Sequence, residues 1–436
     1  MTTANINLLA DIIHCFYCVR YGTTTRSLSR YSTYSLRTLF RFLAKDHEWV
    51  AIRLCLLKAF VFKQEQHYIV AMDEVVEGKS GKLTHGLSRF YSSLAQKPVA
   101  GVCFLGLSLI DVSKRCSYFL SVQQVVYTQE DKKRITQQKT NRKQAKARAA
   151  TGQALLKGRK KGSKNKPGQT NQTASFRTFK ALWQHSMTVL KQYLPAIKLT
   201  HLVADSAYGT LDYLRLATAH QLHLVSRMCS NAALYQPYAG AYGGIGRKKT
   251  YGAKWDLFNL EEKYLQKSNL QEGYAYKFYE LEAFSKSIKG IRLKVVVVKT
   301  TRLQDQKESI NIFFSDDLCL DYLTMIDYYA LRFQIEFDFR DAKQHFGLSD
   351  FKNYTDSNLT CFVNLSFLQC LVSKILLGQY QQSLHRQQMG ILDLKILFNA
   401  RNTAKKIFKL THNQPDIIFN EDFCDQFIPD DLINAA

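Results

Sequence analysis

Residues 199–227 constrain the fold more than any other stretch of this chain. LTHLVAD is an apolar run that ends in Asp205, and a turn, a helical segment over 211–220 and a second apolar run, LHLVSR at 222–227, follow it. Strand, helix, strand, with an acid closing the first strand, is the building unit of an α/β sheet, and sites in such sheets collect at strand ends. Upstream, HYIVAMDEVV near residue 68 and the runs 99–112 and 117–127 read as three consecutive strands. They predict an antiparallel start to a mixed sheet, with Asp73 ending its first strand.

The remaining segments divide by texture. Residues 1–65 read as helices, with Arg26, Arg30, Arg37 and Arg41 giving them a basic side. A small DNA-binding domain and a structural helical cap fit that pattern equally. Residues 66–227 hold the first part of the core. Residues 228–320 mix Gly-rich turns such as YAGAYGGIGRKKTYG with β-like runs at 274–279, 291–299 and 310–314, and read as a β-rich insertion. A helical segment over 321–350 follows, and 351–436 is helical and apolar, most clearly at 362–377.

Charge narrows the partners. The chain of 436 residues carries a formal net charge of +24, which attracts polyanions and gives binding that weakens with salt. Residues 131–167 alone hold fourteen Lys or Arg against one Asp. Such a stretch cannot bury a core, and it predicts a mobile or partly helical arm, either a solvated linker or, the better fit in so basic a chain, a contact to a phosphate backbone. No stretch approaches the ~18 uninterrupted apolar residues of a membrane span, and the N-terminus lacks the basic start of a signal peptide, so a cytoplasmic protein is expected. Ten cysteines, scattered apart from Cys15 and Cys18, predict reduced and mostly buried thiols. The Cys15–Cys18 spacing suits a zinc knuckle, but no second Cys/His pair follows at the usual distance.

The segment 329–343, YALRFQIEFDFRDAK, contains no Gly or Pro and lies in an apolar-periodic run over 323–346, read as one amphipathic helix. At roughly 100° per residue, Arg332, Glu336 and Lys343 fall about 300°, 340° and 320° around from Tyr329. One stripe of the helix thus carries a phenol, two cations and a carboxylate, and Ile326, Ala330, Phe333 and Phe337 form an adjoining apolar stripe expected to face the core. Charged stripes are more often simply solvated, and Arg332 to Glu336 is an ordinary i,i+4 ion pair worth ~0.3 kcal/mol. Three acids on different elements nevertheless stand out: Asp73, Asp205 and Glu336. Hard divalent cations prefer such oxygen ligands together with substrate phosphates.

Tyr329-x(2)-Arg332-x(3)-Glu336-x(6)-Lys343 matches without a gap the Y-R-E-K signature of bacterial insertion-sequence transposases of the DDE class, insertion-sequence-four type. FFSDDLCL before it and FDFRDAKQHFGL around its end resemble the same family, as do VADSAYG for the second Asp and MDEVVEGKSGKLTHGLSRF for the first. The likeness spans roughly residues 65–355. It implies an α/β fold: an RNase H-like mixed-sheet catalytic core with a β-rich insertion, completed by the helix in 321–350 and flanked by helical N- and C-terminal regions. It implies two Mg²⁺ ions, replaceable by Mn²⁺, held by Asp73, Asp205 and Glu336. It also implies Tyr329, Arg332 and Lys343 on phosphates near the transposon end. The activity implied is cleavage at insertion-sequence ends and joining of the freed 3′-OH to target DNA. Two ends require two sites, so a dimer on double-stranded DNA, associated with a bacterial nucleoid, is expected.

The sequence departs from that pattern after Asp73, where Glu74 and Val75 stand in place of an acid followed by a hydroxyl residue. Glu74 is a competing ligand by type, although strand alternation points it to the opposite face from Asp73. Trp255, the one tryptophan in the insertion, is either packing or a platform for a flipped base, as in hairpin-forming relatives. A catalytically decayed DNA-binding copy and an RNase H-like nuclease without strand transfer remain the alternative readings.

Overall fold

The computed structural model describes residues 2–92, 95–151, 172–242, 244, 246, 249–383 and 389–411. Six strands form around the expected core, all but β2 on segments rich in Val, Ile and Leu: β1 (His67–Gly78), β2 (Ser88–Ser92), β3 (Lys97–Asp111), β4 (Cys116–Val125), β5 (Lys198–Ala204) and β6 (His223–Met228). β3 is antiparallel to both β1 and β4, whereas β5 is parallel to β1 and β6 to β5. The order β4-β3-β1-β5-β6 is that of an RNase H-like core, and β3 is buried on both faces from Gly101 to Asp111, as a central strand should be.

Asp73 does not end its strand, contrary to the sequence reading. β3 offers partners as far as the Gly78–Gly101 pair, so β1 continues past the acid. It is β5 that stops: its last pair joins Ala204 to Met72. Asp73 is therefore the first β1 residue beyond the end of β5.

The segment between β6 and the catalytic helices forms β7 (Leu234–Pro237), β8 (Tyr251–Lys254), β9 (Leu265–Gln271), β10 (Tyr274–Ser285), β11 (Arg292–Arg302) and β12 (Glu308–Ser315). β12 pairs with β6, Phe314 opposite Ser226, so these strands extend the core sheet to twelve strands.

Eleven helices are described: α1 (Thr3–Cys18), α2 (Thr25–Ser29), α3 (Leu36–Leu43), α4 (Trp49–Phe60), α5 (Gln129–Ala150), α6 (Ala174–Tyr193), α7 (Leu211–Thr218), α8 (Tyr322–Leu331), α9 (Gln334–His345), α10 (Asp356–Ser383) and α11 (Ile391–Thr411). α4, α6 and α7 cover one face of the sheet through Leu54, Phe179, Trp183 and Leu214. α1, α3, α8, α9 and α10 share a second cluster with Phe104 and Phe119 on the other face. α10 is long and apolar enough to cross a membrane, but 67% of its most apolar window is buried in the fold, as expected of a core helix. The first part of the basic segment is α5, started by a capping box between Thr128 and Asp131. Asp131 also accepts from Arg134 and Arg177, which ties the base of α5 to α6. Residues 152–167 of that segment lie outside the described residues.

The run 323–346 is not one helix. Between α8 and α9 the backbone tightens: Phe333 N–H donates to Ala330, Ile335 to Arg332 and Glu336 to Phe333, each three residues back. A 3₁₀ turn within a helical run commonly marks a hinge or local strain. The core stripe also differs from expectation. Met325, Tyr328, Leu331, Ile335, Phe339 and Ala342 are buried, whereas Phe333 is 48% exposed. The buried set lies about 200–320° around from Tyr329, on the opposite flank of the charged stripe from the set expected to pack. Both flanks are apolar in sequence; the one carrying more large aliphatic side chains faces the sheet.

Gly106 sets how closely α9 approaches. It lies opposite Asp73 across the β1–β3 ladder, and a Cβ there would come within 2.8 Å of Phe119 and 3.1 Å of Phe339. Gly106→Ala is expected to cost about 1–3 kcal/mol through overpacking, read as a lower urea midpoint. An unchanged midpoint would mean that α9 has slack against β3.

Candidate active site

The site is built where α9 runs beside β1. Strand alternation puts Asp73, Val75 and Glu77 on one face. Four residues of strand advance ~13 Å, and the seven from Glu336 to Lys343 advance ~10 Å along a helix. The helix can therefore meet both acids. Arg332 donates from Nη1 to Asp73 Oδ2 at 2.6 Å and from Nη2 to Glu336 Oε1 at 3.2 Å. Further along, Lys343 Nζ lies 2.7 Å from Glu77 Oε1.

Asp205 joins from the end of β5. It precedes the 3₁₀ turn Ser206–Tyr208, and its carbonyl accepts from Ser226 Oγ at 3.1 Å. Its Oδ1 accepts from the Tyr329 hydroxyl at 3.0 Å, across 124 residues of chain. Tyr329 in turn lies beneath the Arg332 guanidinium, 5.6 Å from it to the ring centre. Asp73, Asp205 and Glu336 are thus gathered around one Tyr–Arg pair.

Electrostatics report the same convergence. Burial pushes the Asp73 carboxyl up to about 6; Arg332 and the Glu74 N–H oppose this, while Glu336 and Asp205 add to it. Burial also raises the Tyr329 phenol, and Asp205 raises it further. Arg332 loses solvation on burial, yet Asp73 and the other anions around it hold its proton more firmly than usual.

Lys343 does not reach the three acids; it binds Glu77. The three signature donors expected on phosphate are all paired within the chain. Glu74 is excluded from the carboxylate group: it points to the other face of the sheet, where its Oε2 accepts from Cys103 Sγ at 3.6 Å. Trp255 stacks edge-on against Tyr264, with ring centres 5.1 Å apart. Two acids escaped the sequence reading. Glu77 was detectable, because it shares Asp73's face by period-two alternation. Asp338, fully buried on α9, had no sequence signal; it is paired with Lys374 of α10 and accepts from Ser108.

The donor set suits a hard divalent cation in kind, being three carboxylates on rigid elements. In position it is closed: among the described residues no three His, Cys, Asp or Glu stand close enough to hold an ion. Arg332 holds one oxygen of each of Asp73 and Glu336, and the second Asp73 oxygen accepts from the Glu74 N–H.

A second polar cluster lies toward the start of the parallel strands. His201 Nε2 is 3.4 Å from Asp317 Oδ2, His223 Nδ1 is 3.0 Å from Asp316 Oδ2, and His67 meets the Tyr328 hydroxyl at 3.2 Å. Burial pushes His201 down to about 4 from 6.5, against the pull of Asp317. A histidine depressed on folding stabilises the protein above its unfolded value and loses that contribution as pH falls through the folded one. Urea midpoints are therefore expected to fall from pH 6.5 to 4, and less steeply in His201→Asn. Equal slopes would remove His201 as the cause.

Strand order defines an RNase H-like fold, with three acids gathered beside the ends of its parallel strands. The family model for DDE superfamily endonucleases matches residues 22–273, over half of the chain, and the protein belongs to that family. The match includes Asp73 and Asp205 and stops before Glu336. No curated protein matches the sequence. Among solved structures the chain is similar to a piggyBac transposase in its cryo-EM synaptic complex with hairpin DNA, at 13% identity and a TM-score of 0.42, covering 100% of this chain and 78% of that one. A likeness at that level adds nothing to the strand order itself.

Proposed function

We propose that this endonuclease-family chain is a DNA transposase of the Y-R-E-K insertion-sequence type, cutting at element ends and joining the freed 3′-OH to target DNA. One observation carries the reading: Asp73, Asp205 and Glu336, from three separate elements, meet around Tyr329 and Arg332 of the same signature. Enzymes of this superfamily depend on divalent metal. Asp73, Asp205 and Glu336 would hold the ions, Mg²⁺ first and Mn²⁺ in its place, which supply a more nucleophilic oxygen and a stabilised leaving oxygen in phosphodiester displacement.

The chain's own groups do the rest. Arg332 offers a planar fork suited to a phosphate, and Lys343 a point charge further along the strand–helix groove. Tyr329 fixes the Asp205 carboxylate and presents its hydroxyl to the same space. Eight Lys or Arg lie on α5 and supply sequence-independent attraction for the backbone. Two sites acting on two paired ends imply a dimer on double-stranded DNA.

The test is an in vitro reaction on DNA carrying the repeats that flank the gene, with Mg²⁺ or with chelator. Metal-dependent strand-transfer product supports the reading. Nicks without joined product would make the chain a nuclease, and end binding without cleavage would make it a decayed copy.

A further inference from the structure

Arg332 is 12% exposed in its side chain, and one guanidinium holds oxygens of two of the three acids while its Nε–H is buried without a partner. Both Asp73 oxygens are engaged, Oδ2 by Arg332 and Oδ1 by the Glu74 N–H, so a divalent cation bridging Asp73 and Glu336 competes with the guanidinium for acceptor oxygens. The guanidinium is donor-only and has no lone pair to offer a metal, so where it holds a carboxylate oxygen it competes with an ion for that oxygen and cannot join the ion's coordination shell. A phosphate, by contrast, matches the Arg fork better than two separate carboxylates do, and can accept two parallel N–H bonds from it. Arg332 also stands at the 3₁₀ break between α8 and α9, where the helical ladder is already interrupted.

We infer that Arg332 and the divalent cation exclude one another at the Asp73–Glu336 pair, and that DNA phosphate draws Arg332 off the acids, so that DNA and metal bind with positive cooperativity. Empty of DNA, the site resists metal; engaged with it, the site accepts metal. The coupling is reciprocal, since each ligand must raise the affinity of the other by the same factor. This rests on the metal-dependent reading of the site given above.

The experiment titrates the full-length protein with Mn²⁺ and reads free Mn²⁺ by electron paramagnetic resonance, without DNA and with a short duplex, subtracting the duplex alone. Thermal melting checks each variant for folding. Without DNA, Arg332→Gln is expected to bind Mn²⁺ about tenfold more tightly than wild type, and Arg332→Lys to fall between them. Duplex is expected to tighten wild-type binding by a similar factor and the Gln variant little. Lys343→Gln removes a positive charge from the adjoining helix α9 and controls for general electrostatics. If it tightens Mn²⁺ binding as much as Arg332→Gln does, or if Arg332→Gln binds no tighter than wild type, mutual exclusion is overturned. Loss of Mn²⁺ binding in Glu336→Gln with no effect at Arg332 would leave the metal site standing without the coupling. Undiminished Mn²⁺ binding in Glu336→Gln would overturn both.

Discussion

Asp205→Asn is expected to lower DNA strand cleavage by ~10³-fold or more while leaving DNA binding within about twofold. The substitution keeps shape, and the Tyr329 hydroxyl still has an oxygen to donate to. It removes the anionic oxygen a hard cation requires, and metal stabilisation of a phosphodiester transition state is worth several kcal/mol, ~1.4 kcal/mol per tenfold in rate. Asp205 is the cleanest of the three acids to test, because its observed partners are a phenol and a backbone-bound serine rather than an ion pair. Asp73→Asn would also leave Arg332 short of a counter-charge. Binding persists in this account because it comes from cations spread over α5 and the groove. Cleavage within about tenfold of wild type would remove Asp205 from the reaction.

Asp338→Ala is expected to cost about 3–5 kcal/mol of stability, the largest effect outside the acid group. Asp338 is fully buried on α9, two residues from Glu336. It accepts from Lys374 of α10 and from Ser108 at 3.0 Å, and Lys374 also donates to Ser117. Removing the carboxylate strands a buried ammonium. Removing both charges by Asp338→Leu with Lys374→Met should recover most of the loss, since a packed apolar pair is often as stable as a buried ion pair. Urea unfolding of the two singles and the double closes the cycle. Additive losses in the double would show that the two side chains act independently and that the pair does not anchor α9.

Local rules only nominated the candidate acids, and among 36 acids they are weak; the resemblance to the Y-R-E-K signature and its flanking motifs singled them out. Asp205 closes an apolar run before a turn, and Asp73 follows directly on the apolar run 69–72. Glu336 occupies a helical position that repeats with Tyr329 and Arg332. What pairs with what was not readable. Arg332 and Asp73 are 259 residues apart, and nothing local says that the guanidinium reaches the strand before it reaches a phosphate. The break between α8 and α9 carries no Gly or Pro to announce it. The apolar flank was misjudged for a related reason: both sides of the charged stripe carry large apolar residues, and only docking on β1 and β3 decides which is buried. The joining of the insertion to the core, Phe314 beside Ser226, is likewise a long-range pairing with no local mark.

The most direct test of the central claim is excision and reinsertion in cells, from a donor plasmid carrying the element's ends, comparing wild type with Glu336→Gln at matched expression. Glutamine keeps the size of the side chain and its acceptance from Arg332 while removing the charge. The account predicts reinsertion with wild type and none with the variant. Equal reinsertion by both would contradict it, because Glu336 would then lie outside the site that cuts and joins DNA.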